Sequence, residues 1–307
     1  MIVVPASRVE KLIEDRSAFF EGPVWVDDES GGHLKFTDIA GDAIVQWSPT
    51  EGLSIFADNF VERSPVSEPR HFHIAGRDVT LIGPNGLTRN HDGSIIYCGY
   101  GQRHVGKIDM AGEVQIIAEF YNGRRLNTPN DVVVKSSGEI YFTDSSADSV
   151  RSDEDPRKGH PFSAVYRIVR GQVELLDDDG FGAANGLAFS PDEKAFYVND
   201  TWRKLIHAYS VADDGTLKDR RLFADLGGDD RPGVPDGMKV DAAGRVYCTG
   251  PGGLWILDPS GDLCGLIETD ERLTNITFGG PERQFLYMTG PSYVWRVDRA
   301  LLFADSV

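Results

Sequence analysis

The sequence predicts an all-β fold, a six-bladed β-propeller closed by an N-terminal strand, and reads as one domain over residues 1–307. Three observations lead there. First, a turn followed by a strand carrying an aromatic residue occurs six times: "DESGGHLKFTD", "NHDGSIIYCGY", "KSSGEIYFTDS", "SPDEKAFYVND", "DAAGRVYCTGP" and "GPERQFLYMTG". Second, stepping back from Phe36, Tyr97, Tyr141, Tyr197, Tyr247 and Tyr287 to the start of each preceding apolar run gives Glu21, Asn85, Asn130, Asn185, Asp236 and Asn275, at offsets of 15, 12, 11, 12, 11 and 12 residues. Third, two more alternating strands follow, as in "VGKIDMAGEVQIIAEF" and "GLWILDPSGDLCGLIET". Each unit is then a four-stranded antiparallel sheet, and radial repetition leaves only short edges.

The ends of the chain supply a check on this reading. The sixth unit stops at "SYVWRVDRALLFADSV" without an outer strand, while "SRVEKLIED" at 7–15 resembles the outer strands "GEVQIIAEF" and "GQVELLDDD". Residues 7–15 are therefore expected to complete the last blade.

In a propeller the inner strands line a central channel and start on one face, so the six residues before the apolar runs should ring one mouth. Had each served only its own turn, Ser, Gly and Thr would be mixed among them. All six instead offer carboxylate or amide oxygens. Such hard donors suit Ca²⁺, less comfortably Mg²⁺ or Mn²⁺, and Zn²⁺ least.

Composition excludes other classes. With 31 Lys and Arg against 48 Asp and Glu, the formal charge is −17, which repels a nucleic-acid backbone. "MIVVPASRVEKLIED" lacks the basic n-region and long apolar h-region expected of a secretory leader, and no apolar run approaches the ~18 residues of a membrane span. A soluble cytoplasmic protein, monomeric or weakly associating, is the expectation. Cys98, Cys248 and Cys264 are odd in number and lack CxxC spacing, so they read as free thiols. GxSxG, HExxH and GxxxxGK[ST] are absent, and "DDDG" at 177–180 lacks the later ligands of a calcium loop.

"EGPVW", "RRLNTPNDVVVKSSGEIYFTD", "NGLAFSPD", "VPDGMKVDAAGRVY" and "TNITFGGP" resemble the gluconolactonase, regucalcin and luciferin-regenerating-enzyme superfamily over nearly the whole chain. The resemblance implies a propeller with one divalent cation in the channel, Ca²⁺ first and Zn²⁺, Mn²⁺ or Mg²⁺ as replacements, held by Glu21, Asn130, Asn185 and Asp236. It also implies a hydrolase opening a sugar or related small lactone, with Asp236 as catalytic base or nucleophile. Phosphotriester hydrolysis, known among relatives, and a non-catalytic ligand-binding propeller are the alternatives. "SSADSV" after the third "YFTD" departs from the family's pattern and puts gluconolactone itself in question.

Other residues are placed at the mouth by strand order. Asn85 and Asn275 belong to the ring and are expected to touch a water or substrate. Arg125, beside Arg124, could anchor a carboxylate or hydroxyls, or be a solvated surface pair. Insertions at 59–78 and 145–161 are candidate lids; in the first, His71 and His73 flank Phe72 and should share one face. A second metal, a catalytic histidine and a plain surface loop are all open for them. Trp202 and Tyr100 could pack against a ring.

Overall fold

A computed structural model describes residues 1–29, 31–146 and 159–302. Six antiparallel sheets follow in chain order, with inner strands Phe20–Val26, Pro84–Arg89, Pro129–Val134, Ala184–Phe189, Met238–Val240 and Asn275–Gly279; we number the blades 1 to 6 from these. In each, the second strand carries the expected aromatic residue, and all six aromatics are at most 5% exposed. The candidate lid at 145–161 falls largely outside the described residues. Among the described residues no helix is long and apolar enough to cross a membrane.

Period-two alternation gives every blade two apolar faces, and six apolar cores result, one between each pair of neighbouring blades. The aromatics are not equivalent within them. Tyr141, Tyr197, Tyr247 and Tyr287 pack toward the following blade, whereas Phe36 and Tyr97 pack toward the preceding one. A one-residue change of register turns a strand side chain to the other face, and Cys98 and Phe142 fill the core between blades 2 and 3.

The ring closes as the sequence predicts. Glu10–Glu14 runs antiparallel to Tyr293–Asp298 as the outer strand of blade 6, pairing Glu10 with Arg296 and Ile13 with Val294. The Arg296 guanidinium meets the Glu10 carboxylate at 2.7 Å. An unexpected strand precedes it. Ile2–Val4 adds in parallel to Leu263–Glu268, the outer strand of blade 5, and buries Val4 in the core between blades 5 and 6. The N-terminal segment thus stitches two blades, turning between them through Ala6–Arg8.

The insertion at 59–78 is a wall with regular structure. Arg70–Ile74 and Arg77–Leu81 form a hairpin pairing Phe72 with Val79 and His73 with Asp78. One end is held by the Arg103–Glu68 ion pair at 3.1 Å. At the other, Arg77 Nη2 donates to the Pro291 carbonyl at 2.7 Å and to the Ala18 carbonyl.

Candidate active site

Each ring residue stands at or near the start of an inner strand, and neighbouring blades hold it there. Thr37 Oγ1 of blade 1 donates to the Asn85 carbonyl of blade 2 at 3.0 Å, Thr143 Oγ1 to the Asn185 carbonyl at 2.7 Å, and Asn199 Nδ2 to the Asp236 carbonyl at 2.5 Å. The residue after each of these donors accepts from the incoming backbone: Asp38 from Phe19 N, Asp144 from Asn127 N, and Asp200 from Gly182 N and Ala183 N. Threonine or asparagine before aspartate at the end of the second strand is therefore the device by which blades 1, 3 and 4 fix the mouth.

The six ring side chains are all buried. Glycine follows four of them, because the next blade leaves no room for a side chain: a Cβ on Gly186 would lie 2.1 Å from the Asp236 carbonyl oxygen, and one on Gly237 would lie 1.9 Å from Asn275 Cγ. Blade 3 is different. Asp131 stands where blades 1, 2, 4 and 5 have glycine, and it adds a third buried carboxylate to the channel. Asn275 Nδ2 bridges two of them, reaching Glu21 Oε2 at 2.9 Å and Asp131 Oδ2 at 3.4 Å.

Above this floor opens a cavity of about 440 Å³. Glu21, Asn85, Asn130, Asn185 and Asp236 line its base. Blades 1 and 2 with the hairpin supply an apolar side of Phe19, Ile39, Phe72, Ile74, Leu81 and Tyr100. Blades 4 to 6 supply Thr201, Trp202, Lys204 and Arg272.

Burial and mutual repulsion govern the carboxylates. Glu21 is pushed well above the usual carboxylate range by burial and then by Asp236 and Asp131. Asp131 is raised by burial. Asp236 is raised to about 7, burial outweighing the Arg272 guanidinium and the Asn185 amide beside it. Arg272 Nη2 lies 3.2 Å from Asp236 Oδ2.

Two amide oxygens test whether the floor suits a cation. Among the described residues Asn85 Oδ1 and Asn185 Oδ1 are buried and find no hydrogen-bond partner, an arrangement that costs about 1–3 kcal/mol per group unless something accepts the lone pairs. Among the described residues no trio of His, Cys, Asp or Glu is disposed to hold a metal ion, so any site here draws on the amides. Carboxylate and amide oxygens together fit a hard cation.

Several expected contacts fall elsewhere. Asn275 hydrogen-bonds Glu21 and Asp131 and is not among the residues lining the cavity. His71 and His73 do share a face, but it is the outer one: their rings meet Thr80 and Asp78, and the residues between and after them, Phe72 and Ile74, face the cavity. Arg125 pairs with Glu119 at 2.8 Å, stacks on Phe120 and stays outside the cavity. The cations that do reach it, Lys204 and Arg272, sit in loops with no repeat register to announce them. Asp131 had a legible signal in the broken Gly pattern of "PND". Trp202 and Tyr100 line the cavity as expected.

A six-bladed propeller with an oxygen-lined channel mouth beneath a small open cavity defines a small-molecule site. Residues 19–291 match the model of the SMP-30/gluconolactonase/LRE-like region, and the chain belongs to that family. It is 32% identical to a gluconolactonase of Zymomonas mobilis over 96% of this chain and 82% of that protein. It is 24% identical to a pentonolactonase of Haloferax volcanii over 92% of this chain and 84% of that protein. Among solved structures, a gluconolactonase of Xanthomonas campestris superposes with a TM-score of 0.76 at 27% identity, covering 94% of this chain and 89% of that one.

Proposed function

We propose that this chain is a divalent-cation-dependent lactonase that opens a small lactone, sugar-derived or related. The observation that carries the reading is the pair of unpartnered amide oxygens, Asn85 Oδ1 and Asn185 Oδ1, among buried carboxylates at the base of a small-molecule cavity. Glu21, Asn130, Asn185 and Asp236 would hold the cation, Ca²⁺ first by donor chemistry, with the Asn85 oxygen beside it facing a water or the substrate. Once bound it supplies polarisation of a carbonyl and charge to meet the oxyanion.

The remaining roles fall to the chain. Asp236 opens onto the cavity and takes the proton from attacking water, with Arg272 fixing its orientation from the side. Asn275 bridges Glu21 and Asp131. The anchored hairpin keeps water from one side of the ring. The three free thiols support the cytoplasm as the compartment.

A pH-indicator hydrolysis screen over a panel of lactones, esters and phosphotriesters, run with and without chelator, tests the reading. Chelator-sensitive turnover confined to lactones is expected. Turnover of phosphotriesters alone, or chelator-resistant turnover, would overturn it.

A further inference from the structure

We propose that the cavity selects lactones bearing an alkyl or aryl substituent over fully hydroxylated sugar lactones, an inference that rests on the lactonase reading and narrows its substrate class. The cavity is two-sided. Phe19, Ile39, Phe72, Ile74, Leu81 and Tyr100 form an unbroken apolar side, while the carboxylates and amides occupy the base and the hydroxyl and cationic groups the opposite rim.

The hairpin makes this division. In Arg70–Ile74 and Arg77–Leu81 His71, His73, Asp78 and Thr80 point outward and Phe72, Ile74, Val79 and Leu81 point in; Arg70 and Arg77 share the inner face at the two ends of the hairpin, Arg70 buried over the Tyr100 ring and Arg77 turned to the Ala18 and Pro291 carbonyls, and neither lines the cavity. Phe72 and Ile74 are only partly buried by the protein itself, so they present apolar surface to whatever occupies the cavity. The wall is tied to the rest of the chain by Arg103–Glu68 at one end and by Arg77 at the other.

A sugar lactone with its carbonyl over the ring residues carries hydroxyls around its whole perimeter. Those turned toward this side would lose water and meet the Tyr100 hydroxyl as the one polar side-chain group among its lining residues, and each group left unsatisfied weakens binding roughly five- to hundredfold. An alkyl or aryl substituent on the lactone ring meets the same surface with a gain of roughly fourfold for each methylene buried. The polar base then reads the ester and the apolar side reads the substituent.

The test uses two parallel series on the full chain. Binding is followed by calorimetric titration of γ-lactams, which keep the ring and carbonyl but resist opening, substituted at the ring carbon next to nitrogen with chains from methyl to hexyl; gluconolactam is the polyhydroxylated comparison. Turnover is followed with the corresponding γ-lactones. The lactam Kd is expected to fall ~fourfold per methylene over the first members, hexyl lactam to bind at least ~100-fold more tightly than gluconolactam, and kcat/KM of the lactones to rise in step. Phe72→Ala should flatten the slope, and the wild-type series stands alone if that variant folds poorly. A Kd independent of chain length, no binding by any substituted lactam, or gluconolactam binding as tightly as the hexyl compound would overturn the proposal. A steep lactam slope without hydrolysis of any lactone supports the cavity's preference and overturns the lactonase reading instead.

Discussion

Arg272 Nη2 reaches Asp236 Oδ2 at 3.2 Å, from a loop between blades 5 and 6 to the carboxylate at the mouth of blade 5. The guanidinium is about a quarter exposed and the carboxylate only a tenth, so the pair stands where the cavity meets solvent. A cation fixed beside Asp236 partly neutralises that carboxylate and competes with any other cation for it.

Replacing Arg272 by Gln removes that competition. Calorimetric titration with Ca²⁺ should show affinity raised by about tenfold, a modest Coulombic effect for a partly screened charge, while hydrolysis slows because Asp236 loses its lateral restraint. Arg272→Lys should fall between. Unchanged Ca²⁺ affinity in Arg272→Gln would show that the pair has no bearing on the floor's charge.

Asp236→Asn keeps an oxygen of nearly the same shape and removes the proton acceptor. With metal content verified, kcat should fall by about 10²–10⁴, the usual contribution of a general base. Asn185→Ala should instead lose the metal, read by elemental analysis. Wild-type turnover in metal-loaded Asp236→Asn would leave Asp236 as a ligand alone.

Deleting residues 1–15 strips the outer strand from blade 6 and the parallel strand from blade 5 together. It opens two sheet edges and uncovers the core that holds Val4, Trp295 and Val297. A drop in Tm of about 10 °C or more is expected by scanning calorimetry, given ~2–4 °C per kcal/mol in large domains. A truncated chain melting with the wild type would mean that the ring closes without these strands.

His104 lies buried in blade 2 with Nε2 3.0 Å from the Tyr97 hydroxyl, and burial lowers its pKa from 6.5 to about 4. A depressed folded pKa means stability that is complete above 6.5 and lost as pH falls toward 4, on the order of 3 kcal/mol across that window. Denaturant midpoints between pH 7 and 4 should fall for the wild type, and His104→Gln, although less stable at pH 7, should show a shallower slope. Parallel slopes would assign the acid loss to other groups.

The blades and the ring were legible in the sequence because both follow from local rules. A strand's alternation and the turn before it are written within a dozen residues, and repeating them six times leaves one way to stack them, which is why Glu21, Asn85, Asn130, Asn185 and Asp236 could be placed at a common mouth. Even the closing strand at 7–15 was readable, since blade 6 lacked an edge partner that those residues resemble. What tertiary structure alone decided was direction and neighbourhood. Alternation says that His71 and His73 share a face, but which face meets the cavity depends on Phe72, Ile74 and Leu81 finding the apolar surface of Phe19, Ile39 and Tyr100, which are remote in sequence or on other strands. Asn275 has the ring's register, yet its amide is taken up by Glu21 and by Asp131, which stands in a place where four blades have glycine, and it does not line the cavity. Arg272 comes from an irregular loop, and its contact with Asp236 exists only once blades 5 and 6 are set side by side. Periodicity encodes which side of a strand a residue takes; what that side touches is settled by packing between segments far apart in the chain, where burial of apolar surface and mutual satisfaction of polar groups choose the partner.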